Sequence, residues 1–295
     1  MPDLRSSAAN RALATELRRL RELAGMSGDE VASTLRWSAS KVSRIETNRI
    51  GIKPADLNRL LDLYVVDDTR RAQLVALAAE PEPRGWWSGY GDSITTEYAT
   101  YISLEASATA LRCWSPELIH GLLQTEDYAT AIMEIDSPAV AHAPPSTIRR
   151  RVEVRMRRQA LLKGPEPKHF SFMLDEAALM HRYGERELMR RQLLHINEIS
   201  QLPNVSIRIL AFTGLHPVVS PGAFALLEFA PMHGIAIGDV VYTEQLTRND
   251  FIEDEDAAFE YRLAFDRIGR EALDEEASRQ LIATIAAERW GSAPA

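Results

Sequence analysis

The stretch MSGDEVASTLRWSASKVSRIETNR, residues 26–49, decides how the first part of this 295-residue chain folds. Ser27 stands as an N-cap with Glu30 three residues on, the reciprocal pairing of a capping box, just ahead of Val31, Ala32 and Leu35. Arg36-Trp37 breaks that short helix, and Ser38 caps the next one, whose inward positions are Val42 and Ile45. Upstream, residues 11–24 put Leu13, Leu17, Leu20 and Ala24 on one face of a helix that Gly25 ends. Downstream, Pro54 suits a first helical turn, with Leu57, Leu60, Leu61 and Tyr64 on the buried face. A fifth helix spans about 69–79 with Leu74 and Leu77 inward.

Five short helices in eighty residues, the second and third joined by a tight turn, resemble the XRE-type, lambda-repressor-like helix-turn-helix. Ala32, Val42 and Ile45 fall on that family's buried positions without a gap. The resemblance implies that the N-terminal half of the third helix enters the major groove of DNA. Ala39, Ser40 and Arg44 then face the bases, with Ser38 at the groove edge and Ser43 beside them. Arg44 is the candidate for a bidentate contact to guanine. Lys41, Arg49 and Lys53 are candidate phosphate contacts, which position a protein without reading sequence. Arg21 and Glu46 occupy places that the family often fills with a structural ion pair. There are two departures. Gly28 stands where a phosphate-touching glutamine is usual, and Arg36 stands where the turn has glycine. A left-handed non-glycine residue costs about 1–2 kcal/mol, so an adjusted turn is expected. The rival reading is a five-helix interaction domain without a DNA role. On the DNA reading a dimer is expected, on half-sites about 10 base pairs apart.

Charge is distributed in keeping with this. The whole chain carries −8, yet residues 1–66 hold 11 Lys/Arg against 8 Asp/Glu, leaving the remainder at 23 against 34. A slightly basic head on an acidic body suits a DNA-reading module fused to another domain. The length suggests about two domains. Cys113 is the only cysteine, so the chain forms no internal disulfide and holds no zinc-finger cluster. With no signal-peptide pattern and no long apolar run, an intracellular, cytoplasmic setting is expected.

The boundary between the domains is read at residues 81–92, PEPRGWWSGYGD, where Pro and Gly break regular structure. Trp86 and Trp87 there are too apolar for a free tether; packing against a domain competes with stacking on a ligand. Residues 93–295 read as an α+β domain with a mostly antiparallel sheet. Strands are expected at 111–115, 169–174, 205–210, 223–229 and 235–244. Helices are expected at 94–111, after Thr125, at 146–163 (stripe Ile148, Val152, Met156, Ala160), 175–182, 185–201, 250–269 and 274–289.

A second resemblance spans nearly the whole chain. It rests on residues 86–129, WWSGYGDSITTEYATYISLEASATALRCWSPELIHGLLQTEDYA, followed by RQALL, FMLDEAAL, LPNVSIRILAF, GAFALLEF and VVYTEQL. The sequence is similar to the WhiJ-like regulators of actinomycetes, with His120 where proline is common before GLLQT. That resemblance implies a transcriptional regulator encoded beside a small acidic partner protein, the two being antitoxin-like and toxin-like in some pairs.

No chemistry is legible beyond this. Asp175-Glu176 reads as helix capping at a strand-to-helix junction rather than as paired acids. His169, His181, His195, His216 and His233 show no metal-binding spacing, and His216 is a loop residue that competes as a pocket liner. GxSxG, phosphate-loop and dinucleotide patterns are missing, so neither an enzyme nor a cofactor is expected. RRRVEVRMRRQALLK, 149–163, is basic within an acidic domain. Its readings are a face paired internally, for instance with residues 253–256, a seat for an acidic partner through Arg151, Arg155 and Arg158, or added phosphate contacts. For the whole chain, a partner-modulated regulator competes with an antitoxin-like neutraliser and with a small-ligand sensor.

Overall fold

The computed structural model describes residues 7–81, 85–135, 144–164, 168–215, 222–245 and 248–291. These form two compact units. One holds the chain up to Ser88 with Thr96–Ser107 and Phe229–Gly238; the other holds Gly89–Thr95, Ala108–Glu228 and the chain from Asp239 on.

In the first unit five helices follow one another: α1 Ala8–Leu23, α2 Gly28–Leu35, α3 Ala39–Glu46, α4 Pro54–Leu63 and α5 Asp68–Ala78. Each start has a local cause. Ser7 accepts from Asn10 N–H, which starts α1 before the Leu13 periodicity begins. Ser27 and Glu30 form the reciprocal capping box of α2. Ser38 caps α3 through Lys41 N–H, Pro54 opens α4, and Asp67 caps α5 through Arg70 N–H. The core joins Leu13 and Leu17 to Val31, Leu35, Val42, Ile45, Leu57, Leu60, Leu61, Leu74 and Leu77, all buried. Leu20 is only half-buried and Ala24 is exposed, so the apolar face of α1 fades toward its end. Glu16, buried on α1, receives Arg19 at 2.7 Å and Arg70 of α5 at 2.7 Å. Helix α6, Thr96–Ser107, belongs to this unit and is shorter at both ends than the expected 94–111.

The second unit carries a six-stranded sheet in the order β3-β2-β1-β4-β5-β6: β1 Ala110–Ser115, β2 His169–Asp175, β3 Val205–Leu210, β4 Phe224–Glu228, β5 Val240–Glu244 and β6 Asn249–Ile252. Three of its five pairings are antiparallel; β1–β2 and β2–β3 are parallel. The parallel pairs are those joined by long helical connections, α7 Glu126–Ile135 with α8 Pro145–Arg158, and α9 Glu176–Met180 with α10 Arg186–Ile199. One sheet face is covered by α11, Glu255–Glu271: Trp114, Met173, Phe224, Leu226 and Val241 pack with Phe265 and Ile268. Helix α12, Glu275–Thr284, packs on β3, and Ser278 Oγ accepts from Ile209 N–H at 3.0 Å. On the opposite face His120 lies against Phe172, ring centroids 5.3 Å apart.

Three expectations need correction. Residues 250–252 are the end of strand β6, not the start of a helix; Asp254 caps α11 by accepting from Ala257 N–H, which delays that helix to 255. The strand expected at 235–244 begins only at Val240, because 229–238 leaves the sheet. Helix α8 ends at Arg158 and passes into a 3-10 turn; its buried residues are Val152, Val154 and Arg158, the turn buries Leu162, and Ala160 of the expected stripe is exposed.

The turn at 119–125 is held by side-chain amides, two of them buried. Gln124 donates to Ile119 O, Gln159 donates to Gln124 O, and Gln192 donates to Leu123 O while accepting from Thr125 N–H. Buried backbone groups otherwise cost free energy, so these glutamines fix the turn that the GLLQT motif encodes.

Candidate nucleic-acid interface

Helices α2 and α3 meet through a left-handed residue. Arg36 sits at φ 56, ψ 43, so the turn keeps its usual geometry without glycine, contrary to the adjusted turn expected from the sequence. Two crossing backbone bonds, Trp37 N–H to Ala32 O (2.8 Å) and Arg36 N–H to Ser33 O (3.2 Å), close the end of α2. Arg59 of α4 donates to Leu35 O at 2.7 Å, satisfying another carbonyl there. Its guanidinium lies 5.4 Å from the Trp37 ring centroid, while Lys41 Nζ lies 3.8 Å from it on α3. Lys41 also pairs with Asp56 at 2.8 Å. The two neighbours of the left-handed residue, Leu35 and Trp37, are thus held by α3 and α4 together.

Arg21 ties α1 to α3. Its Nε and Nη2 donate to the two carboxylate oxygens of Glu46 at 2.8 and 3.0 Å, and its Nη1 donates to Met26 O at 2.8 Å. The pair is mostly buried, and burial raises the nearby Tyr64 hydroxyl above its ordinary pKa.

What remains outward on α3 is the set named from the sequence. Ser38, Ala39, Ser40, Ser43 and Arg44 are all exposed, whereas Val42 and Ile45 are 3% exposed. Arg44 Nε rests on Ser40 O at 3.0 Å, and Ser38 Oγ lies 3.0 Å from Ser40 Oγ. Arg49 and Lys53 are exposed beyond the end of α3; Lys41 is half-buried and engaged as above. Beside α3 an open depression of about 540 Å³ is lined by Arg18, Ser27, Asp29, Ser40, Ser43 and Thr47 among others. Asp29 and Glu30 make the start of α2 acidic, so positive charge is concentrated at the far end of α3.

A family model described as a domain of unknown function, DUF5753, matches residues 98–284. The chain belongs to the DUF5753 family. A helix-turn-helix domain model matches residues 12–74 of this DUF5753 protein, the region that carries α2, the turn and α3. No curated protein and no solved structure matches the chain.

The arginines of α8 are placed differently from the outward row. Arg151 donates to Ser93 O at 2.8 Å, Arg155 donates to Gln124 Oε1 at 2.9 Å, and Arg158 is 4% exposed. Arg151 and Arg155 are thus half-buried and engaged within the second unit and Arg158 is buried, while Arg149, Arg150 and Arg157 are exposed. Asp175 caps α9 by accepting from Ala177 N–H at 2.8 Å, and Glu176 accepts from Phe212 N–H at 2.8 Å. Among the described residues no group of three or more His, Cys, Asp or Glu is placed to hold a metal ion, and no helix is long and apolar enough to cross a membrane. His216 lies outside the described residues. Sequence reasoning missed the Lys41–Trp37–Arg59–Asp56 group. Asp56 is fifteen residues from Lys41 and no short-range period links them.

Proposed function

We propose that this DUF5753 protein is a sequence-specific DNA-binding transcriptional regulator of the cytoplasm, acting as a homodimer and not as an enzyme. The observation that carries the reading is the row Ser38, Ala39, Ser40, Ser43 and Arg44, exposed on a short helix that Arg21–Glu46 and the Trp37 clamp hold rigidly. Short hydroxyl side chains with one arginine suit base edges in the major groove; Arg44 supplies the bidentate donor for guanine. Arg49 and Lys53 supply phosphate contacts beyond the end of α3. Lys41, held by Asp56, adds less than a free lysine does.

The second unit is read as the regulatory half, addressed by a small acidic protein. The exposed arginines Arg149, Arg150 and Arg157 favour an acidic partner on the outer face of α8, with the half-buried Arg151 and Arg155 at its edge and Arg158 buried behind them. The test is operator selection from random DNA followed by binding with Arg44→Ala. Enrichment of a two-fold symmetric site, with guanine preference lost at one position per half-site in the variant, supports the reading. No enriched sequence, with equal affinity of variant and wild type, contradicts it.

A further inference from the structure

Residues 229–238 connect β4 to β5, yet they belong to the compact unit that contains α1–α5. Their tip is a two-residue turn. Met232 and Ile235 exchange both backbone hydrogen bonds (2.9 and 2.8 Å), and His233 and Gly234 between them have φ of 51 and 74. Positive φ at both central residues defines the tight turn that suits a twisted hairpin, so the tip is stiff.

Each residue of the tip meets α5 or its end. His233 Nε2 lies 2.6 Å from Glu80 Oε1. Arg70 Nη1 approaches Gly234 O at 3.5 Å while Arg70 Nη2 holds Glu16 of α1 at 2.7 Å. A Cβ at Gly234 would come within 2.6 Å of Gln73 Nε2. Ile235 and Ile237 are 1% and 8% exposed, so the segment is seated rather than draped. The two ends of the loop are fixed as well: Arg262 of α11 holds both Glu228, at the end of β4, and Asp239, just before β5.

We propose that segment 229–238 is a strap through which the sheet domain sets the position of α5, and with it the DNA affinity of the helix-turn-helix. This rests on the DNA-binding reading above. A stiff tip seated on α5 and a base clamped by one guanidinium give a shift in the sheet a direct route to Arg70, Glu16 and α1. His233 and Gly234 are then positioning residues and touch no DNA.

The experiment compares full-length wild type, Gly234→Ala and Gly238→Ala by amide hydrogen exchange in α5 and by affinity for the selected operator. Gly238 has no neighbour within 4 Å of an added Cβ and serves as the control in the same loop. Gly234→Ala is expected to speed exchange across α5 by about tenfold, the effect of a strained left-handed alanine, and to shift operator affinity at least about threefold. His233→Ala, a surface change, is expected to move both readouts in the same direction by less. Unchanged α5 exchange in Gly234→Ala overturns the strap. Faster exchange with unchanged operator affinity makes the loop a brace and overturns the coupling. A wild type that selects no operator overturns the DNA-binding reading, while exchange measured without DNA still decides whether the tip holds α5.

Discussion

Arg21 Nε lies 2.8 Å from Glu46 Oε1 and Arg21 Nη2 lies 3.0 Å from Glu46 Oε2, so one guanidinium on the first helix fixes the last turn of α3. The contact spans 25 residues of sequence and is 14% and 10% exposed on its two sides. A planar fork on a carboxylate constrains direction as well as distance. Glu46 therefore orients the row that starts at Ser38, and in the function proposed above the residues before it are the base readers.

Glu46→Gln keeps the shape and removes the charge, leaving Arg21 one of its two bonds to residue 46 and its bond to Met26 O. The unfolding free energy of the first domain should fall by about 1–3 kcal/mol, the range for a mostly buried charged hydrogen bond. Urea unfolding checks the loss. Operator preference should keep its sequence pattern, since the variant alters the frame and not a reader.

Arg36→Gly acts on the turn. Arg36 is exposed and holds φ 56, where a glycine has no steric penalty. Removing that penalty of about 1–2 kcal/mol, offset in part by the greater freedom of glycine in the unfolded chain, should stabilise the domain by about 0.5–1 kcal/mol. A rise in thermal midpoint with unchanged DNA affinity is the expected result; a fall in the midpoint contradicts the account of the turn.

Glu16 and His120 should each make stability depend on acid. Burial alone raises the Glu16 carboxyl, but hydrogen bonds and charge from Arg19 and Arg70 outweigh it and hold it below its ordinary value of 4.5. Its contribution is present above that pH and lost as pH falls through the lowered value. Glu16→Gln should remove stability at pH 7 and narrow the difference between variant and wild type at pH 3.

His120 responds over a higher range. Burial, then the charges of Arg158 and Arg155, push its imidazole from 6.5 down to about 3. The unfolded chain therefore takes up its proton first. Stability from this group is intact above about pH 6.5 and drains as pH falls toward 3. Urea midpoints at pH 7 and 4.5 should differ less in His120→Gln than in wild type. An unchanged difference contradicts the buried, neutral state.

What the sequence revealed follows from how local each cause is. The capping box of Ser27 and Glu30, the cap at Ser38 and the apolar positions Val42 and Ile45 all act within four residues, and the helix-turn-helix was legible from them. The Arg21–Glu46 pair came from the family resemblance, since no spacing rule links positions 25 apart. Strand β6 was hidden because Asn249–Ile252 is short and half-buried and runs into an acidic helix start. Arg158 was misplaced because its charge argued for solvent, whereas the neutral carbonyls and amides around the 119–125 turn receive α8 in the interior. Segment 229–238 could not be placed, since its seat on α5 depends on residues more than 150 positions away.

The central claim is that exposed α3 side chains read DNA. The most direct measurement is binding of the full-length protein to the DNA upstream of its own gene across a salt series, beside Arg44→Ala and Lys53→Ala. Arg44→Ala should lose about 1–3 kcal/mol against the preferred site and little against unrelated DNA. Lys53→Ala should weaken both alike and lower the slope of log affinity on log salt by about 1. Equal affinity of all three proteins for both DNAs, with no dependence on salt, would contradict the account.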